Sequence, residues 1–305
     1  MRRTILIILC LLWVEASFAI RPKIGLVLGG GGAKAAAEIG VLKVIDKARK
    51  AGMPIDFVAG TSMGAVIGGL YAAGFSPEKI EELFLTEEWL KVFSGDAVGY
   101  ISFRSWRAPT GLIRGDVIQA RLDSIFSTVN RRLFTETEIP FNCVAVDLNC
   151  IEEEILHEGV LARAILASMA YPGFLPIQQD GKKLIDGGVL NNLPIDVARI
   201  MGADIVIAID LEQEESATRN FSLKAKLGIG GIANWLISRP DIKKHNENVE
   251  SLIKPDIYIQ PSLKGYSITD FEKTKLKEMI KIGEEKGNHY WVDLMRLRQT
   301  KYSFF

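Results

Sequence analysis

The chain has 305 residues, 48% of them hydrophobic and 24% charged, with a formal net charge of zero. That length and core-forming fraction suit one large α/β domain or two small ones. Charge neutrality excludes a global field steering the chain toward nucleic acid, and its histidines and cysteines lack metal-ligand spacing, so neither metal nor cofactor is expected.

Taken in chain order, Arg2-Arg3, the short apolar run 5–14 and Ser17-Phe18-Ala19 have the layout of a secretory signal with a cleavage site after residue 19. The run is short for a membrane span. Its removal leaves Cys143 and Cys150, which make no disulfide framework. Export to the periplasm or the medium is therefore expected, with residues 20–305 as one domain.

Residues 24–28 (IGLVL) are a continuous apolar run cut off by four glycines, as in a buried strand. Residues 35–52 read as a helix with Ile39, Val41, Leu42, Ile45 and Ala48 on one side. Residues 57–59 form a second strand, and 63–73 an almost wholly apolar helix that must be buried on most sides. An amphipathic helix is predicted over 77–89, a loop or cap over 94–115, and a helix over 116–126. Residues 141–147 and 154–157 read as a hairpin around Asn149, 160–170 as a helix, and 205–210 as another buried strand. Beyond Leu211 come a polar linker (212–220), an apolar stretch (223–236), a charged stretch (241–251), a short strand (257–259) and a charged surface helix (270–286). Buried strands separated by helices predict a three-layer α/β/α architecture with a mostly parallel sheet covered on both faces. The core is expected at about 23–211, with 212–305 as a C-terminal extension.

Three motifs carry chemistry. Gly60-Thr61-Ser62-Met63-Gly64 lies between a strand and a helix, the context of a nucleophile elbow, where a sharp turn lifts the hydroxyl out and glycines allow the turn. Its bland alternative is a helix N-cap serine. Gly29–Gly32 has two functional readings besides a tight turn. Gly30-x-Gly32-x-x-Ala35 fits a dinucleotide fingerprint, but the acid wanted at the end of the next strand is missing, since Asp56 lies at its start. The other reading is an oxyanion hole built from backbone N–H groups at a helix N-terminus, and the elbow downstream favours it. Lys34 either holds an anionic group or is solvated.

The base is less obvious. His157, His245 and His289 all lie in polar or charged stretches, with His157 the only arguable triad member. Asp186 follows Lys183-Leu184-Ile185 and precedes two glycines, so it can approach a neighbouring loop closely; a turn-forming Asp-Gly is its alternative.

With these residues in view, the chain resembles the patatin-like phospholipases from Lys23 to about Leu211. The likeness covers the Gly29–Lys34 loop, the Gly60–Gly64 elbow, the stretch 164–176 (AILASMAYPGFLP), the stretch 184–194 (LIDGGVLNNLP) and residues 201–210. It implies a Ser-Asp dyad without a histidine: Ser62 as nucleophile, Asp186 as general base, and the amides of Gly30, Gly31 and Gly32 as oxyanion donors. It also implies cleavage of fatty-acyl esters of membrane lipids, with phospholipid or another lipid ester as substrate and transient contact with a membrane surface. Phe93, Tyr100, Ile101, Phe103 and Trp106 are candidates for a lid or membrane-touching rim, with core packing as the alternative. Ala35 and Glu38 depart from the family pattern, which commonly has glycine and histidine there; the first would shift the loop if a positive φ were needed. A non-catalytic lipid- or partner-binding module on the same scaffold is the competing reading.

Overall fold

The computed structural model describes residues 21–93, 115–171, 176–211 and 254–298. The leader at 1–19, residues 94–114 of the loop predicted over 94–115 (with Tyr100, Ile101, Phe103 and Trp106), residues 172–175 and the stretch 212–253 with His245 lie outside the described residues.

Among the described residues, eight strands form one sheet: β1 (Ile24–Leu28), β2 (Phe57–Thr61), β3 (Phe141–Asp147), β4 (Glu152–Leu156), β5 (Ile177–Gln179), β6 (Lys182–Asp186), β7 (Ile205–Ile209) and β8 (Ile257–Ile259). Hydrogen-bonded neighbours follow the path β5-β6-β3-β2-β1-β7-β8, with β4 also on β3. The β3–β2–β1–β7–β8 pairings are parallel; β4, β6 and β5 add antiparallel ones. The helices are α1 (Ala36–Lys50), α2 (Met63–Ala72), α3 (Pro77–Phe84), α4 (Glu87–Phe93), α5 (Asp116–Ser127), α6 (Leu161–Ser168), α7 (Ile195–Ile200), α8 (Lys273–His289) and α9 (Trp291–Leu297).

Side chains on a strand alternate between faces, and the two faces have different partners. Leu26, Leu28, Val58, Cys143, Ala145, Ile207 and Ile209 join the large core under α1, α2, α6 and α8. Val27, Ala59, Val144, Val206 and Ala208 join a smaller core with Ile195, Val197 and Ala198 of α7. The result is three layers, α/β/α, with one thick and one thin helical layer. Each fully buried Leu, Ile or Val of the larger core contributes about 1.5–3 kcal/mol.

Several predicted boundaries shift. The helix expected over 77–89 is two, α3 and α4. Thr86 breaks it: its hydroxyl donates to Leu83 O (2.8 Å) and accepts from Trp89 N–H (3.3 Å), competing with the helical ladder. The β5–β6 hairpin and α7 had no counterpart among the predicted elements. The predicted surface helix over 270–286 is α8, and one of its faces is buried through Leu276, Met279, Ile280, Gly283 and Gly287. A Cβ on Gly283 would collide with Ala37 O of α1, and one on Gly40 with Ile280 O of α8. The two helices therefore touch backbone to backbone. Cys143 is buried in β3 and Cys150 exposed in the turn after it, both as free thiols.

Candidate active site

The site sits at the carboxyl ends of the parallel strands, where open α/β sheets bind ligands. β2 pairs with β3 through Thr61↔Val144, and β6 pairs with β3 from Ala145↔Asp186 onward. β4 covers Cys143–Asp147 of β3 by itself. A strand has two edges, so β2 and β6 share the remaining one, end to end. The chain leaving β2 at Ser62 meets the chain leaving β6 at Asp186.

Ser62 stands at the strand-to-helix turn with φ 56° and ψ −125°, a left-handed conformation that is costly for a residue with a Cβ. Its hydroxyl does not cap α2. Instead it donates to Asp186 Oδ2 at 2.6 Å, which removes the N-cap reading. The elbow glycines are required by contact. A Cβ on Gly60 would lie 2.7 Å from Gly64 O, and one on Gly64 would lie 2.5 Å from Gly29 O. Asp186 is 3% exposed; its Oδ1 accepts from Gly188 N–H at 2.8 Å, which fixes the carboxylate plane and keeps Oδ2 on the serine.

Two further groups anchor the elbow. Ser62 N–H donates to Ser168 Oγ at 3.0 Å, and Thr61 Oγ1 donates to Asn191 O at 2.9 Å. Ser168 is completely buried at the end of α6.

The glycine loop runs directly over the serine: a Cβ on Gly30 would lie 3.1 Å from Ser62 Cβ. Here one expectation is corrected. Gly30 N–H is already used, donating to Asn192 O at 3.0 Å, while Asn192 Nδ2 donates back to Gly30 O at 3.1 Å. Gly31 and Gly32 N–H meet no acceptor among the described residues, which leaves them as the open donors. The positive φ of the loop falls on Gly32 (56°). Ala35 has ordinary helical angles (φ −60°, ψ −15°), so its departure from the family pattern displaces nothing. Lys34 is 3% exposed and thus not a solvated side chain.

Other expected players lie elsewhere. His157 is exposed with Nδ1 against Ile155 O, and His289 is exposed on Glu285 O. Asp56 pairs with Arg21 at 2.7 Å and accepts from Ile24 N–H, at the opposite end of β1 from the glycine loop, so the dinucleotide reading has no ribose acid. No group of three or more potential metal ligands occurs among the described residues. Asn192 and Ser168 were not singled out by sequence reasoning as positioning groups. A motif shows the Asn-Asn pair, but its partners are distant in the chain.

Comparison with known proteins follows the same residues. The chain is similar to patatin-like phospholipase domain-containing protein ZK370.4 of Caenorhabditis elegans, 29% identical over 87% of this chain and 20% of that protein. It is 37% identical to patatin-like phospholipase domain-containing protein 6 of Mus musculus over 63% of this chain and 14% of that one. The chain thus spans a fifth or less of the length of these relatives. Among solved structures, VipD from Legionella pneumophila superposes with a TM-score of 0.46 at 15% identity, covering 90% of this chain and 67% of that one. The family model for patatin-like phospholipases matches residues 26–199, more than half of the chain, with the glycine loop, the elbow and Asp186 inside it. The chain belongs to the patatin-like phospholipase family.

Proposed function

We propose that the chain is a serine acyl hydrolase that cleaves fatty-acyl ester bonds of phospholipids or related lipids through a Ser62–Asp186 dyad. The observation that carries this reading is the 2.6 Å hydrogen bond from Ser62 Oγ to Asp186 Oδ2 at a positive-φ elbow. Geometry of that kind comes first in identifying a base.

In the first step Asp186 takes the Ser62 proton as Oγ attacks the ester carbonyl. The oxyanion forms beneath the glycine loop, where Gly31 and Gly32 N–H donate to it and Gly30 is held in place by Asn192. The tetrahedral species collapses, the proton passes to the departing alcohol or lysophospholipid, and Ser62 is left acylated. Water then gives a proton to Asp186 and attacks the acyl-enzyme; the C–Oγ bond breaks, the proton passes from Asp186 to Ser62 Oγ, and the fatty acid leaves.

Export through residues 1–19 and transient contact with a lipid surface belong to the same proposal. None of the described helices is long and apolar enough to cross a membrane.

The test is fatty-acid release from mixed phospholipid vesicles and p-nitrophenol release from a short ester, by wild type, Ser62→Ala and Asp186→Asn. Both variants should lose about three orders of magnitude or more in kcat. Activity on the small ester alone would move the substrate class away from lipids. A folded wild type inactive on both would leave the scaffold as a binding module.

A further inference from the structure

Among the buried carboxylates of the described residues, Glu38 stands apart. Asp46 pairs with Lys50 and Arg49 and accepts from Tyr71; Asp147 accepts from Asn149 and Lys183 N–H; Asp186 accepts from Ser62 and Gly188. Glu38 is 0% exposed, and neither of its oxygens has a hydrogen-bond partner among the described residues. It projects from the first turn of α1, the helix that the glycine loop opens, and its carboxyl lies beside the backbone of Gly29. Gly29 N–H is meanwhile bonded to Ile209 O at 3.1 Å, and Gly30 touches Ser62.

We propose that Glu38 is a positioning residue for the Gly29–Gly32 loop and works as the neutral acid, filling the space behind Gly29 without setting a negative charge behind the amides that receive the oxyanion. The proposal rests on the acyl-hydrolase reading of the site.

Burial of the carboxyl is the largest influence and favours the protonated form, Gly29 N–H works in the opposite sense, and the charge of Asp210 at the end of β7 adds to burial; the sum holds the Glu38 carboxyl well above the usual carboxylate range. Lys34, buried in the turn that opens α1, bears on Asp270, and further charged groups around α1 pair with one another. Glu81 of α3 and Glu284 of α8 pair with Lys43, and Glu284 also with Lys47; Asp270 pairs with Lys275; Tyr71 of α2 bonds Asp46. Of all these charges Asp210 alone bears on Glu38. Ionisation of Glu38 would draw the loop amides toward a new anion and oppose charge developing on the substrate.

The experiment is kcat and KM for a p-nitrophenyl ester at neutral pH, in wild type, Glu38→Gln and Glu38→Leu. Glu38→Gln, which mimics the neutral acid, should keep the wild-type kcat and KM. Glu38→Leu should lower kcat about tenfold with little change in KM, because the loop is misplaced while the substrate surface stays. Glu38→Leu as active as wild type, or Glu38→Gln impaired as far as Glu38→Leu, would overturn the proposal. A readout free of catalysis and of any variant is the infrared band of a protonated carboxyl, which must persist in the wild type at neutral pH; its absence overturns the proposal too. A wild type that hydrolyses nothing sinks the hydrolase reading and this role with it, whereas an active wild type matched by Glu38→Leu sinks only the role of Glu38.

Discussion

Asn192 and Gly30 are tied to each other twice: the Asn192 carbonyl accepts from Gly30 N–H, and the Asn192 side-chain amide donates to Gly30 O. This two-way bond clamps the loop beside Ser62 and leaves the next two N–H groups without an acceptor among the described residues. Asn192→Ala removes half of the clamp. It should lower kcat for ester hydrolysis by about 10–100-fold with a smaller change in KM, since a loop displaced by a fraction of an ångström still admits substrate. Steady-state kinetics on a soluble ester measures it.

Ser168 supplies the acceptor for Ser62 N–H from a fully buried position. Ser168→Ala leaves that N–H unsatisfied, at a cost of about 1–3 kcal/mol. It should lower both Tm and kcat, and Ser168→Thr should recover part of each if the larger side chain is tolerated. Paired thermal melts and kinetics separate the two effects.

The backbone of Ser62 stores strain. Ser62→Ala and Ser62→Gly both delete the hydroxyl, yet only glycine is at ease at φ 56°. Ser62→Gly should therefore be the more stable variant by about 1 kcal/mol or more, read as a higher denaturant midpoint.

The contact of α1 with α8 predicts a size limit. Gly283→Ala places a methyl group against Ala37 O and should destabilise by about 1–3 kcal/mol through forced separation of the helices. Urea unfolding of wild type and variant checks it.

Asp56 makes a prediction about acid. Burial opposes its charge, but the Arg21 hydrogen bond and Ile24 N–H outweigh burial and lower its pKa below the usual carboxylate range. A depressed folded pKa gives stability that is present above the unfolded value near 4 and lost as pH falls through the folded value. Asp56→Asn should lower Tm at neutral pH, and its difference from wild type should shrink below about pH 4.

What could be read in advance was local. β1 and the elbow announce themselves because apolar runs end in glycines within a few residues. The limits of α2 follow from Ser62 and Gly74 in the same way. The split at Thr86 was missed because a hydroxyl that competes with the ladder looks, in sequence, like any exposed helix residue. The β5–β6 hairpin is written in Gln, Lys and Asp, with too few apolar positions to show a period, and α7 is a single short stretch of six residues. Within the site, Ser62, Asp186 and the loop were reachable from their motifs and from family likeness. The commitment of Gly30 N–H was not, because its acceptor comes from Asn192, 162 residues on. Nor does any pattern reveal that the Glu38 carboxyl ends up without a partner.

Ile268 has a role that its place in the chain disguises. Its carbonyl accepts from Ala33 N–H at 2.8 Å and presses on Gly32, where a Cβ would strike it. It lies outside the stretch 26–199 matched by the family model. A segment outside the stretch that the family model matches therefore braces the glycine loop. Relatives that keep the elbow and the aspartate but differ in this late segment would hold the same loop with a different hand, so transplanting residues 254–298 between them should shift the rate of the proposed ester hydrolysis without altering any motif residue.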